Sequence, residues 1–383
     1  METSRDAEAM KGAAFKLTQA ALALLISWGW ASGQTDTTST YEEEIDFSLY
    51  DDLSFADEGA KRFCSPKIEG LSPAKLITIG YDYQGAYDLS AGDLTGADGS
   101  VLAAGSAARV QATRGMRVGF NVPVISKTSL VWQMGANHWN TQYIYDETPS
   151  VADNPLHSSL SECGLRTTGV STTVFKPLDE KQFVLFQGSA DLSGTYGLDF
   201  MPLKYLKYSA AVLYGKRPSE RKQWAVGLAR TYRVGEINYI PVVLYNATDA
   251  LNKWGTEILF PARAHVRRTL NPRNMLFFGY ELEGQSYRLW QSPDGDFDPR
   301  PEDLEIRRGE ARVRFVYECS LKGFVWLSVQ AGYRVNYRFD VDRLVEGAEI
   351  YRAFGLLRDD PYAQQNGLGN PLYLNVSLNL VSP

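Results

Sequence analysis

Four residues in one short stretch would support hydrolysis if their side chains met in space. His157, Ser158, Ser159 and Glu162 bring an imidazole, two hydroxyls and a carboxylate into the run LHSSLSE. A hydrolase needs a hydroxyl nucleophile beside a base, but spatial geometry defines such a site and sequence proximity does not. Short polar runs are ordinary loop content, so we favour a loop here and assign no catalytic residue.

The other histidines and acids give weak signals for chemistry. His138 lies among polar residues near the predicted end of a strand, and His265 lies among arginines that disfavour a general base. A loop contains four acids that suit Ca²⁺ by type but lack the complete EF-hand spacing: Asp294, Asp296, Asp298 and Asp303. No HExxH, GxSxG, glycine-rich phosphate loop or CxxC motif is present. We therefore expect no enzyme activity, no cofactor and no metal.

Four arginines that alternate with apolar residues are the best functional clue. They are Arg109, Arg117, Arg312 and Arg314. Alternation places them on the polar faces of predicted strands. In an open pore they would favour anions. If they are paired with acids such as Asp82 and Glu281, they contribute structure only, and this is the interpretation that we favour.

The end of the chain has the pattern of a membrane strand. Within Pro371–Pro383, five leucine and valine residues alternate with Tyr373, Asn375, Ser377 and Asn379. A period of two gives one apolar face and one polar face, and about 9–11 residues cross a bilayer as a tilted strand. We expect the apolar face to meet lipid, the strand to close a barrel, and Asn375, Ser377 and Asn379 to line the lumen with the arginines.

Similar segments recur from Ala74 onward, separated by connections rich in Gly, Pro and Asp that alternate roughly between short and long. In lipid every backbone N–H and C=O must be paired, so the strands must close on themselves. The sequence therefore predicts an all-β fold, a transmembrane antiparallel up-and-down β-barrel of about 12 strands, with about 14 as the alternative. A soluble sandwich or propeller is the competing fold, but no repeat of propeller length is present.

The number of predicted strands is odd. Thirteen segments have the pattern of a membrane strand, whereas single-chain bacterial barrels have an even number of strands. The turn at residues 234–236 breaks the rhythm of short and long connections, and Pro241 interrupts a strand. We therefore expect the miscount near residues 232–255.

The N-terminal region predicts export. Lys11 and Lys16 precede the apolar run 17–30, and small residues at 31–33 suit cleavage, so residues 1–33 are a predicted signal peptide that starts at Met1 or, more suitably, at Met10. Residues 34–70 hold ten acids and three bases. They predict an acidic periplasmic tail that is mobile, docks a partner or folds back into the barrel mouth. Residues 71–383 form the predicted barrel.

Composition limits the classes of function. The chain has 39 Lys and Arg against 45 Asp and Glu, a net charge of −6, and no basic run. A nucleic-acid partner is not expected, because phosphate binding needs clustered positive charge. Cys64, Cys163 and Cys319 are too few for a disulfide framework or a thiolate metal site, and the sequence leaves their pairing open.

Five stretches carry a resemblance to a known family. They are Leu71–Gly85, Phe260–Ala262, Tyr280–Tyr287, Phe324–Asp340 and Asp359–Pro383, and the last is the most specific. They resemble a Gram-negative outer-membrane β-barrel family that carries only a domain-of-unknown-function label. The resemblance implies a barrel in the outer membrane and no catalytic or ligand residues. Pro383 departs from the terminal aromatic residue that is common in outer-membrane proteins.

Three functions remain open at this point. The first is passage or binding of a small solute or lipid, with the long segment Val341–Gly369 as a plug or gate. The second is a structural or surface-interaction barrel with a closed lumen, and a barrel-embedded hydrolase is less favoured. The expected partners are outer-membrane lipid and the barrel-assembly and periplasmic chaperone machinery, after export by a cleaved signal peptide.

Overall fold

The computed structural model describes residues 67–147, 154–196, 203, 206–232, 238–289, 304–343 and 362–382. The predicted signal peptide, the tail up to residue 66 with Cys64, the acidic loop containing Asp294, and residues 344–361 lie outside these ranges. In chain order the elements are β1 (Lys75–Gln84), β2 (Tyr87–Ala91), β3 (Leu94–Thr95), β4 (Val101–Ala103), β5 (Ser106–Lys127), β6 (Leu130–Tyr145), α1 (Pro155–Glu162), β7 (Leu165–Pro177), β8 (Gln182–Gly194), β9 (Lys207–Ser219), β10 (Lys222–Thr231), β11 (Asn238–Thr248), β12 (Trp254–Phe260), β13 (Arg263–Asn271), β14 (Asn274–Arg288), β15 (Leu304–Lys322), β16 (Val325–Arg343), β17 (Asn366–Leu368) and β18 (Leu372–Val381).

Fourteen of these strands form one closed antiparallel barrel. Their order around the wall is β1, then β5 to β16 in sequence, then β18. The barrel closes at β1, which pairs with β5 on one side and with β18 on the other. The final strand therefore closes the barrel, as its pattern predicts, and the alternative count of fourteen strands is confirmed.

The count of twelve strands is wrong because one hairpin is hidden in the sequence pattern. Residues 257–266 look like one alternating segment, but the chain turns at Pro261 and Ala262 and forms the short strands β12 and β13. The expected place of the miscount, residues 232–255, is also wrong. A turn of two residues between two strands leaves too few turn-forming residues to interrupt the alternation.

Pro241 does not break β11, although it lies within it opposite Leu228 of β10. The ladder between β11 and β12 begins only at Val243, so Pro241 has no neighbour on that side. A proline is tolerated where its nitrogen faces an unpaired edge. The neighbouring residues 234–236 lie outside the described part of the chain.

The two ends of the barrel differ. Connections of two to five residues join the strands at one end, which we call the turn end, and the end of β18 lies there beside the start of β1, where Ser382 N–H donates to the carbonyl of Ala74 at 2.8 Å. The opposite end, which we call the loop end, holds β2 to β4, α1 and β17. The β12–β13 hairpin, with two residues between its strands, is a short connection at the loop end.

A second ring of pairings stands above the barrel wall at the loop end. The end of β14 pairs in parallel with β8 through Arg288 and Gly194, and Val341 of β16 pairs with Gln364. Strand β17 then pairs with β2, and β2 with β5. These pairings close a narrower ring of β14, β15, β16, β17, β2, β5, β6, β7 and β8, which leaves out the wall strands β1, β9 to β13 and β18.

An apolar core fills the second ring. Helix α1 begins after Asn154, whose side chain accepts a hydrogen bond from the N–H of Leu156 at 3.0 Å. Leu156 and Leu160 of the helix are fully buried among apolar residues of the surrounding strands, which include Leu89, Val110, Ile306, Phe339 and Val341. Burying each such side chain contributes about 1.5–3 kcal/mol. The ring is therefore held by packing as well as by its backbone pairs.

Exposed apolar side chains cover the outer face of the wall. In β18 all residues of the leucine and valine face are exposed, and the alternate side is buried. The outer face of other strands includes Ile79, Phe120, Val170, Val212, Leu228, Val266, Phe278 and Phe315. Such a belt is stable in the hydrocarbon of a bilayer and unfavourable in water. No helix in the described ranges is long and apolar enough to cross a membrane.

The apolar outer face predicts that a charged substitution lowers the free energy of unfolding more within a wall strand than in a turn. Leu228 in β10 and Leu251 in the β11–β12 turn are 65% and 72% exposed, so they differ little in packing. Leu228→Arg is expected to lower the free energy of unfolding by about 2–4 kcal/mol, because it places a charge in hydrocarbon, and Leu251→Arg by about 0–1 kcal/mol. Urea titration of the protein in lipid vesicles measures both. Equal effects of the two substitutions would show that β10 does not face lipid.

Candidate functional site

An ion-pair network occupies the part of the lumen below the second ring, and Glu310 of β15 is its centre. Its Oε2 lies 2.9 Å from Nη2 of Arg308 and 3.6 Å from Nε of Arg334. Its Oε1 lies 2.5 Å from Nη2 of Arg312. Glu310 and Arg334 are fully buried. Since a buried charge is costly unless it is paired, one carboxylate stabilises three guanidinium groups here.

The network crosses the lumen between strands that are not neighbours. Arg117 of β5 pairs with Asp82 of β1 and, at 2.5 Å, with Glu283 of β14. Glu283 also accepts from Arg312 at 2.9 Å. Strands β5 and β14 are five places apart in the wall order, so this contact ties the two ends of one side of the wall together through the interior.

A second group of polar side chains continues the network toward the turn end. Arg314 pairs with Glu281 at 2.5 Å and donates to Gln330 at 2.8 Å. Its Nε and Nη2 both lie 3.4 Å from Nε2 of His265. A guanidinium has donors only, so Nε2 of His265 is the acceptor and Nδ1 carries the imidazole proton.

The facing side of the lumen is apolar. Strands β7 to β11 contribute a cluster of buried residues, which are Phe175, Phe183, Leu213, Ala225, Ala229, Ile240 and Val242. The rings of Phe175 and Phe183 stack with centroids 4.9 Å apart. The lumen therefore has an arginine-rich wall on β14 to β16, β18, β1 and β5, and an apolar wall opposite it.

Residues 67–74, which we call the N-terminal strap, cross the barrel at the turn end. The strap leaves β1 and reaches β12, where Ser72 donates to Glu257 from its N–H (3.3 Å) and from its hydroxyl (2.9 Å). Gly70 then turns the chain with φ +71°, a backbone conformation that favours glycine. In a ring of fourteen strands β11 is seven places from β1 in either direction, so the strap follows a diameter of the mouth.

The far end of the strap is anchored at the β9–β10 turn. The N–H of Glu69 donates to the carbonyl of Glu220 at 2.8 Å, and its carboxylate lies 2.7 Å from Nε of Arg221. The other anchor of the strap is the contact between Ser72 and Glu257, and Arg267 supports it by pairing with Glu257 at 3.1 Å. Arg267 is fully buried and lies over Gly255, where any side chain would collide with the guanidinium.

Two cavities lie on either side of the strap. The lumen cavity has a volume of about 490 Å³, and its polar lining includes Lys75, Glu257, Arg263, His265, Arg314 and Glu318. The mouth cavity has a volume of about 370 Å³ and is lined by residues near the turns, such as Pro272, Phe324 and Trp326. Leu71, Ser72 and Pro73 line both cavities, so the strap is the partition between them.

Most of the residues that the sequence singles out for the lumen lie together. Arg117, Arg312 and Arg314 belong to the network, and Asn375 donates to Asp82 at 2.7 Å. Ser377 and Asn379 are buried on the same side of β18, where Asn379 accepts from Thr78 at 2.9 Å. Whether any of them meets a solute stays a prediction.

Arg109 does not lie with the other six residues. It is exposed at the loop end, where it contacts Asp88 at 3.0 Å and Asp146 at 3.6 Å. The ladder between β5 and β6 shifts register between Val110 and Ala112. Because one extra residue moves every later side chain to the other face, Arg109 and Arg117 point to opposite sides despite their even spacing.

The structure does not place the residues suggested for hydrolysis in a catalytic arrangement. His157 and Ser158 are buried in α1, and Glu162 is exposed. The ring nitrogens of His157 face the hydroxyl of Tyr145 at 3.2 Å and the carbonyl of Ser106 at 3.3 Å. The hydroxyl of Ser158 donates to the carbonyl of Pro155 at 3.1 Å and not to the imidazole.

Several lumen residues were not found from the sequence. Arg308 and Glu310 continue the alternation of Arg312 and Arg314, so the period-two run of charges begins at Arg308, four residues before Arg312. That run was a usable signal. Arg334 had none, because its partners are brought to it from β15 and β1. Among the residues that the structure describes, no group of His, Cys, Asp and Glu could hold a metal ion.

The fold and the lumen together define a fourteen-stranded transmembrane β-barrel with an internal ion-pair network. No protein-family model and no curated protein matches the chain, so its resemblance to an outer-membrane family stays a prediction.

An outer membrane channel, a FadL homologue and a toluene transporter are among the solved structures with some likeness to the chain. An outer membrane channel of Pseudomonas putida F1 is 13% identical, with a TM-score of 0.34, and the match covers 85% of this chain and 99% of that one. A FadL homologue of Pseudomonas aeruginosa is 8% identical, with a TM-score of 0.35 and coverages of 84% and 100%. The toluene transporter TodX of P. putida is 8% identical, with a TM-score of 0.31 and coverages of 82% and 92%. These values are too low to transfer a function.

The network predicts a large effect of removing its central charge. Glu310→Gln keeps the shape of the side chain but leaves three buried guanidinium groups without their shared carboxylate. We expect the free energy of unfolding to fall by about 3–5 kcal/mol. Urea titration in lipid vesicles measures the change, and the exposed Glu162→Gln is the matched control. A loss no larger than that of the control would mean that Glu310 does not hold the network.

Proposed function

We propose that the chain is an outer-membrane barrel of a Gram-negative bacterium that binds a small solute in its lumen and passes it through the turn end. The apolar outer belt and the contrast between short turns and long loops support a barrel of this type. The predicted signal peptide supports export. In this arrangement the turn end faces the periplasm and the loop end faces outward.

The observation that carries the proposal is the lumen cavity beneath the ion-pair network. Its volume of about 490 Å³ lies in the range of about 300–1,000 Å³ that is usual for small-molecule sites. Polar groups from β1, β5, β11 to β13, β15 and β16 converge on it, and the strap separates it from the mouth cavity. A purely structural lumen has no need of such a space.

The side-chain anchors of the strap are weak compared with the ladders that hold the wall strands. The ion pair between Glu69 and Arg221 is partly exposed, with both side chains 42% accessible, and such pairs contribute about 0–1 kcal/mol. The hydrogen bonds from Ser72 to the Glu257 carboxylate contribute about 1.5–3 kcal/mol. The wall strands, in contrast, are held by continuous ladders. Displacement of the strap joins the two cavities and leaves the barrel intact.

A structural or surface-interaction barrel with a closed lumen is the second candidate. The pairing of Arg117, Arg312, Arg314 and Arg334 with carboxylates favours it, because paired arginines leave little free charge in the pathway. The apolar core of the second ring also favours it. This candidate predicts no measurable solute passage under any condition.

Releasing the strap separates the two candidates. The double substitution Ser72→Ala and Glu69→Gln removes the side-chain contacts of both anchors. For the solute barrel, we expect a severalfold rise in single-channel conductance in planar bilayers and faster swelling of liposomes loaded with small sugars. The physical reason is that the lumen and mouth cavities become continuous more often.

The matched control is Ser320→Ala with Glu180→Gln, which changes the same residue types at the turn end away from the strap. It should leave conductance unchanged. Heat-modifiable gel migration checks that each variant is folded. Absence of both conductance and swelling in the wild type and in the strap variant would reject the solute barrel and favour the closed one.

A further inference from the structure

Arg263 differs from the other cationic residues that line the lumen cavity. Lys75 pairs with Glu318 at 2.6 Å, and Arg314 pairs with Glu281 at 2.5 Å. Arg263 has no carboxylate within 4.0 Å and no side-chain hydrogen bond in the described part of the chain, although it lines the cavity and is exposed. Its cross-strand neighbour is Glu281, whose carboxylate is already held by Arg314.

The side chains that line the cavity carry a net charge of +1. Three cationic residues line it, Lys75, Arg263 and Arg314, against two acids, Glu257 and Glu318. Including the partners Arg267 and Glu281 adds one charge of each sign, so the excess stays at one. A single extra positive charge in a space partly enclosed by protein attracts an anion more strongly than the same charge in bulk water. A monoanion balances it, whereas a dianion would leave a negative charge unpaired.

A second donor lies close to Arg263. His265 is two residues further along β13, so both side chains project from the same face of the strand. Its Nε2 accepts from Arg314, so the second ring nitrogen, Nδ1, carries the proton and is a further donor beside Arg263. A guanidinium and a neutral N–H donor suit the two oxygens of a carboxylate or sulfonate.

One part of the cavity wall, between Arg263 and the strap, is apolar. Phe277 and Val316, which are register partners on β14 and β15, line it together with Leu71 and Pro73. Phe277 lies four residues along β14 from Glu281, the neighbour of Arg263. At a rise of about 3.3 Å per residue this is a distance of about 13 Å along the strand. An acid group at Arg263 would therefore place an apolar body of moderate length against Phe277 and Val316.

From these observations we infer that the lumen cavity binds a small amphiphilic monoanion, a carboxylate or sulfonate on an apolar body, and that Arg263 binds its charge. This inference rests on the proposed function and names the class of solute. It also gives the orientation of the bound solute in the cavity, with the acid group on the loop-end side and the apolar body toward the strap.

The test compares three molecules of one shape with different charge. Binding of 4-phenylbutyrate, 4-phenylbutan-1-ol and 4-phenylbutylamine to the full-length barrel in detergent is measured by calorimetry. We expect the acid to bind at least about tenfold more tightly than the alcohol or the amine, equivalent to about 1.4 kcal/mol. Equal binding of acid and alcohol to the wild type, or no binding of the acid, would overturn the inference.

Three variants test whether Arg263 is the residue that binds the acid group. Arg263→Gln should remove the preference for the acid over the alcohol, and Arg263→Lys should retain it. Arg268→Gln is the matched control, because this exposed arginine of the same strand stacks on Trp254 with 4.8 Å between guanidinium and ring centroid and does not line the cavity. A preference that survives Arg263→Gln would show that another group binds the anion.

Liposome swelling distinguishes this inference from the function on which it rests. If neutral sugars pass and the strap variant passes them faster, but the acid shows no preference that depends on Arg263, the solute barrel stands and its anion site is rejected. If nothing passes and none of the three molecules binds, both are rejected.

Discussion

One carboxylate determines how the inner part of this barrel is arranged. Glu310 pairs with Arg308, Arg312 and Arg334. Arg312 extends the same network to Glu283 and so to Arg117 of β5. Each guanidinium is buried at a cost that its ion pairs and hydrogen bonds offset. The network therefore works as an internal brace: it fixes the distance between β5 and β14 and occupies the lumen between the apolar core above it and the cavity below.

The brace explains why the barrel is polar on one side only. Strands β14 to β16 are long because they carry both the network and the second ring, whereas β12 and β13 are short and end below that ring. The apolar side chains of β7 to β11 need no ionic partner and pack against one another. An amphiphilic lumen is the direct result of this division, and it places the open space where charged and apolar surfaces meet.

Alternation alone predicts much of this fold. The faces of β18, the closure of the barrel by the last strand and the alternative count of fourteen strands all follow from a period of two. The pattern fails where local geometry overrides it. The turn at Pro261 and Ala262 is too short to interrupt alternation, and the bulge near Val110 reverses the face of Arg109 without any change in residue type. The strap and the partners of Arg334 are contacts between distant segments, which no local pattern encodes.

The seam between β1 and β18 has a consequence for how the chain is made. Thr78 and Asn379 bond across it although they are 301 residues apart in sequence. The wall thus cannot close until the last strand has been made, and a chain shortened before Leu372 leaves one edge of β1 and one edge of β16 without a partner. Unpaired backbone groups are not tolerated in hydrocarbon. Barrel closure is therefore an intrinsic check on full length, since an incomplete chain has no stable form in the bilayer.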